Sequence, residues 1–240
     1  MTGSGYSGGT IPLPSAGTLE QRVGAFLRGV YGWMALGLGI TAITASVVAS
    51  SPALMRAIVL NPLGMLLLVG AQLGVVWTMG ARIDRLSAST ASALFLGYSV
   101  LTGLTLSVVL WTYTRASVGS TFLVSAGMFG ALALYGTMTR RNLSAWAQFL
   151  FMGLIGVVLA SLVGLFIQSD GFQFVLAFCG VIVFAGLTAY DAQTLKAMAI
   201  QTPDESIGQV TILGALRLYL DFINLFLMLL RLFGDRPSRR

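Results

Sequence analysis

Residues 146–167 read WAQFLFMGLIGVVLASLVGLFI, with no charged side chain among them. A helix needs about 20 apolar residues to cross a hydrocarbon core about 30 Å thick, so this stretch is expected to be a membrane span. Working outward, further apolar stretches of spanning length lie near 27–49, 59–80, 89–112, 118–138 and 172–192. A seventh runs from about 209 to 233, its first half interrupted by Gln209, Thr211, Arg217 and Asp221.

Composition agrees with this pattern. Of the 240 residues 56% are hydrophobic and only 9% are charged, and mean hydropathy is +0.87. A soluble domain with so few charges could not keep a wettable surface, so most of the exterior must face lipid. The expected fold is an all-α integral membrane bundle of seven helices forming one domain over 18–234. Residues 1–17, rich in Gly, Ser, Thr and Pro, read as a disordered cytosolic arm rather than a signal peptide. Residues 235–240 form a basic tail. Thr18 followed by Gln21 fits a capping box at the start of the first helix. Small-residue pairs such as Ala35/Gly39, Gly70/Gly74, Ala126/Gly130 and Ala160/Gly164 are expected to be packing seams between helices.

The net charge of +6 falls in short loops and the tail, and no stretch gathers enough Lys and Arg for a nucleic-acid patch. With the N-terminus inside, inner segments hold Arg22, Arg28, Arg82, Arg85, Arg140, Arg141 and Lys196, while outer loops hold only Arg56 and Arg115. This bias favours a cytosolic N-terminus. The tail pulls the other way. Its arginines favour a re-entrant last segment with a cytosolic tail, whereas the length of that segment suits a full crossing.

Histidine is absent and Cys179 is the single cysteine, so the usual pH switch, a disulfide and the commonest metal ligand are missing together. Proton-linked behaviour must then rest mainly on carboxylates. Asp191 closes the sixth span in GLTAYDAQ (186–193), and Asp221 lies in LYLDFINLFLMLLRLFG (218–234). Asp170, Asp204 and Glu205 fall in loops and read as solvated charges. Arg217, Asp221 and Asn224 share one helix face, which allows an internal Arg217–Asp221 ion pair. Asp191 can equally be a helix-end residue wetted at the interface. Alternatively, a loop of some 15 residues makes the sixth and seventh segments neighbours, so the two acids face each other. Two carboxylates in a low-dielectric site cannot both ionise cheaply, and their oxygens suit a hard cation held weakly.

GLTAYDAQTLKAM together with ALRLYLDFINLFLMLLRLFG (215–234) resembles the signature of the Bax inhibitor family, also called the transmembrane Bax inhibitor motif family, in its bacterial form. The resemblance covers most of the chain from about Leu19. It implies six outer helices around a central seventh in a bacterial inner membrane. It also implies a pH-sensing pair, Asp191 and Asp221, controlling a calcium leak. A basic latch at the end of the second span would be Arg82, with Arg85 as fallback. Arg217 departs from the family pattern, where a small polar residue is expected. A guanidinium aimed at Asp221 would move the pH response toward acid or abolish it. Some bacterial relatives are described as modulators of a membrane-bound AAA protease and eukaryotic ones as suppressors of cell death, which is the alternative function. Enzyme activity is not expected, nor any cofactor. Tyr190-Asp191 matches one element of intramembrane aspartyl proteases, but Tyr219-Leu220-Asp221 lacks the required Gly-x-Gly-Asp.

Overall fold

A computed structural model describes residues 16–167 and 169–236. Among the described residues, seven helices are long and apolar enough to cross a membrane. They are α1 (Ala16–Ser50), α2 (Pro62–Arg82), α3 (Ala88–Thr112), α4 (Arg115–Met138), α5 (Ser144–Val163), α6 (Asp170–Gln201) and α7 (Ile207–Phe233). The arm proposed for 1–17 lies mostly outside the described residues. α1 is already helical at Ala16, so Thr18 lies inside the helix rather than at its start.

Local chemistry sets the starts of the middle helices. Asn61 accepts from the amides of Leu63 and Gly64, with Pro62 at the first helical position, where its missing N–H costs nothing. Ser87 accepts from the Thr90 amide and Thr114 from the Ser117 amide. Between α1 and α2 the chain makes a short turn, Pro52–Leu54, that runs into a π turn over Met55–Val59.

α7 is the axis. Of its apolar window 72% is buried, against 11–39% for the other six helices. It packs chiefly against α1, α3, α4 and α6, while α2 leans mainly on α3 and α5 on α6. A central seventh helix is therefore present, but four helices rather than six form its main wall. α7 is one unbroken helix about 40 Å long by its rise per residue, not a re-entrant segment. Its far end is tied to the α3–α4 turn: the Thr114 amide donates to the Asp235 carbonyl at 3.0 Å and the Asp235 amide to Ser117 Oγ at 2.9 Å. At the opposite end, Arg22 of α1 pairs with Asp204 at 2.9 Å in the α6–α7 connection and donates to the Thr202 carbonyl. The start of α1 and the described part of the tail thus lie at opposite ends of the bundle.

α6 runs past Asp191 for nearly three more turns, to Gln201, and only Thr202–Ser206 link it to α7. The expected long loop is instead mostly helix. Leu195 and Ala199, one and two turns beyond Asp191, are fully buried, which holds this extension against the bundle. Gln193 accepts from the Leu143 amide and donates to the Arg141 carbonyl, and Lys196 donates to the Thr137 carbonyl. The extension therefore also braces the α4–α5 turn.

The packing seams differ from most of those expected: of the glycines in the four pairs only Gly164 meets a neighbour, where an added Cβ would lie 3.0 Å from Gln173 and 3.3 Å from Phe172. An added Cβ at Gly39, Gly70, Gly74 or Gly130 would meet nothing within 4 Å, because these glycines face outward. Close approach occurs at Gly136, where a Cβ would overlap the Ala189 carbonyl oxygen, and at Gly37 and Gly103, which set α1 against α3. The difference is physical: helical spacing puts two small residues on one face, but does not say whether that face meets lipid or a neighbour.

Candidate functional site

The short α6–α7 link makes these helices an antiparallel pair and brings Asp191 and Asp221 together. Their carboxyls lie within hydrogen-bonding reach of one another. Asp221 is only 6% exposed, its Oδ2 is buried without a hydrogen-bond partner, and Asp191 is half-buried. Arg217, half-buried on the turn of α7 before Asp221, is near enough for its charge to act on both acids. It nevertheless forms no ion pair with either. Among the described residues the only ion pair within 4.0 Å is Arg22–Asp204. The Arg217–Asp221 pair allowed by helical spacing is therefore not made, and Asp191 is a mid-helix residue rather than a helix end.

The other candidates stand apart from this cluster. Arg82 and Arg85 are exposed at the end of α2, and neither is ion-paired among the described residues. Asn224 Nδ2 turns back to the Leu220 carbonyl of its own helix at 2.8 Å. Asp170, Asp204 and Glu205 are exposed, as expected for solvated charges. No group of three or more His, Cys, Asp or Glu able to hold a metal occurs among the described residues, so a cation meeting this site meets two acids. The Pro-Ala-Leu segment that the aspartyl-protease signature also needs was expected to be absent, but Pro52-Ala53-Leu54 is present. It lies in the α1–α2 connection, at the end of the bundle away from the α6–α7 link.

A second polar cluster sits on another face of α7. Tyr219 is fully buried, and its hydroxyl lies 2.6 Å from Thr41 Oγ1, which also reaches the Ser99 carbonyl at 2.9 Å. Phe95 and Tyr98 of α3 pack edge-on against the Tyr219 ring. These contacts join α1, α3 and α7 and fix the rotation of α7 about its axis, and so the direction in which Asp221 points. Reading charged residues alone passes over this cluster. Its signal is the run of small hydroxyl side chains in otherwise apolar spans.

The family model described as inhibitor of apoptosis-promoting Bax1 matches residues 23–238. The chain belongs to the Bax inhibitor family. Among its relatives, an Escherichia coli protein named inner membrane protein YbhL is 51% identical over 223 residues, covering 91% of this chain and 95% of that protein. A Borreliella burgdorferi protein is 39% identical over 215 residues, covering 89% and 93%. A Deinococcus radiodurans protein is 41% identical over 227 residues, covering 94% and 96%. In this chain the two acids sit in the stretches YDAQ and YLDF, on the adjacent helices α6 and α7.

Proposed function

We propose that the chain is a pH-sensitive calcium leak of a bacterial inner membrane, with its N-terminus cytosolic and the Asp191–Asp221 pair as the responsive element. The supporting observation is the meeting of two carboxyls inside a membrane bundle, with one Asp221 oxygen unpartnered. Ionisable groups at such depth are costly and mark ion or proton pathways. Two carboxyls in contact in low dielectric are held by a shared proton, and a second proton or a passing cation changes their mutual attraction. Arg217 supplies one positive charge nearby without consuming an acid in an ion pair, so the pair keeps its freedom to respond.

In this reading, protonation weakens the attraction between the pair and the nearby Arg217 charge and allows α6 and α7 to shift. Calcium binding at two acids is transient, which suits passage rather than storage. The protein acts as a transporter rather than an enzyme. The test is calcium flux into liposomes by purified protein as a function of pH, with Asp191→Asn and Asp221→Asn beside the native chain. A response unchanged in both variants overturns the proposal.

A further inference from the structure

α1 and α4 both pack on α7, but a groove opens between them to the bilayer side. Three cavities lie along it. One of about 440 Å³ is lined by Tyr31, Met34, Phe129 and Ala133, and one of about 280 Å³ by Thr41, Ala45, Leu106 and Val118. They share Leu38, Phe122 and Phe222. The third, of about 520 Å³, holds Ser50, Trp111 and Arg115, and joins the second through Ser46, Leu110, Val118 and Gly119. The first two are almost wholly apolar, with Phe222, Ile223 and Phe226 of α7 reaching the second. These three side chains form the floor of the groove and are themselves buried.

The polar end of the groove differs in chemistry. Arg115 is exposed in the first turn of α4 and forms no ion pair among the described residues. The Ser46 and Ser50 hydroxyls beside it turn back to the Ala42 and Val47 carbonyls of their own helix. Trp111 Nε1 donates to the Ala49 carbonyl at 2.9 Å, which pins the outer ends of α1 and α3 and keeps this mouth shaped. From Arg115 to Ser125 is about 15 Å of helix, half of a hydrocarbon core about 30 Å thick. An acyl chain entering beside Arg115 therefore follows the groove to the bilayer midplane with its phosphate level with the guanidinium.

We propose that the α1–α4 groove is a phospholipid-binding site, with an acyl chain lying against Phe122 and Phe222 and the headgroup phosphate on Arg115. Charge complementarity selects this occupant. A fully apolar partner would leave the guanidinium unmatched at the mouth, whereas a phosphate accepts its N–H donors in a charge-assisted bond.

The test is native mass spectrometry of the full-length protein purified in detergent, with dioleoyl phosphatidylglycerol titrated in. Gly119→Phe places a ring in the groove at a position where an added Cβ meets nothing within 4 Å, and Gly70→Phe is the matched control on the outer face of α2. Native protein and Gly70→Phe are expected to retain one lipid with equal affinity, and Gly119→Phe to lose it. Arg115→Gln, exposed and with no role in the core, is expected to weaken retention about tenfold or more, as loss of one charge-assisted bond predicts. Equal retention by Gly119→Phe and native protein overturns the site. Equal retention by Arg115→Gln overturns the headgroup assignment, and absence of any retained lipid in native protein overturns both.

Discussion

The carboxyls of Asp191 on α6 and Asp221 on α7 meet inside the bundle, while Arg217 acts on both without forming an ion pair to either. A guanidinium held near but not on a carboxyl pair tunes its proton affinity without locking it. Replacing Arg217 with Ser removes a charge that favours the ionised acids. In Arg217→Ser, the pH response of calcium flux is expected to move to higher pH, read as a displaced midpoint in a liposome assay. An unmoved midpoint would show that the arginine charge is not sensed by the pair.

Tyr219 and Thr41 predict a smaller, structural effect. Tyr219→Phe keeps the ring packing against Phe95 and Tyr98 and deletes only the hydroxyl that meets Thr41. Interhelical hydrogen bonds in membranes contribute about 0.6 kcal/mol on average and up to about 1.7 kcal/mol. The variant is expected to unfold at lower temperature by that amount of stability, measured by thermal unfolding in detergent. Because the bond also orients α7, the pH midpoint of flux is expected to shift in the same variant.

Gly136 marks the closest contact of α4 with α6, where a Cβ would overlap the Ala189 carbonyl two residues before Asp191. Backbone cannot move aside as a side chain tip can, so Gly136→Ala is expected to cost about 1–3 kcal/mol through overpacking. Gly127→Ala, with open space around its Cβ, is expected to leave thermal unfolding nearly unchanged. Equal melting of the two variants would contradict the close α4–α6 approach.

The Arg22–Asp204 contact joins a one-third exposed side chain to an 89% exposed one. Exposed pairs contribute about 0–1 kcal/mol and are screened by salt, so Asp204→Ala is expected to change stability little. Arg22→Ala is expected to cost more, because Arg22 also donates to the Thr202 carbonyl. Thermal unfolding of the two variants at low and high salt separates these contributions.

Span number and order were legible because apolar length alone specifies a membrane helix, and 146–167 corresponds closely to α5. The far end of α6 was not. Residues 193–201 read as a loop by hydropathy, yet Leu195 and Ala199 bury one face of a continuing helix. Hydropathy averaged around the helix hides that face. The meeting of Asp191 and Asp221 was one of the arrangements that sequence proximity allowed, beside an Arg217–Asp221 ion pair that helical spacing permits without requiring. Gly70 and Gly74 show the same limit: in a chain with 29 glycines, small residues four apart also fall on faces turned to lipid.

The central claim is that the acid pair governs a proton-dependent leak, and calcium entry into liposomes containing the purified protein tests it most directly. Native protein is expected to show flux that rises on mild acidification, and Asp221→Asn to lose that dependence. Flux that is absent at every pH, or equally pH-dependent in native protein and Asp221→Asn, would contradict the account.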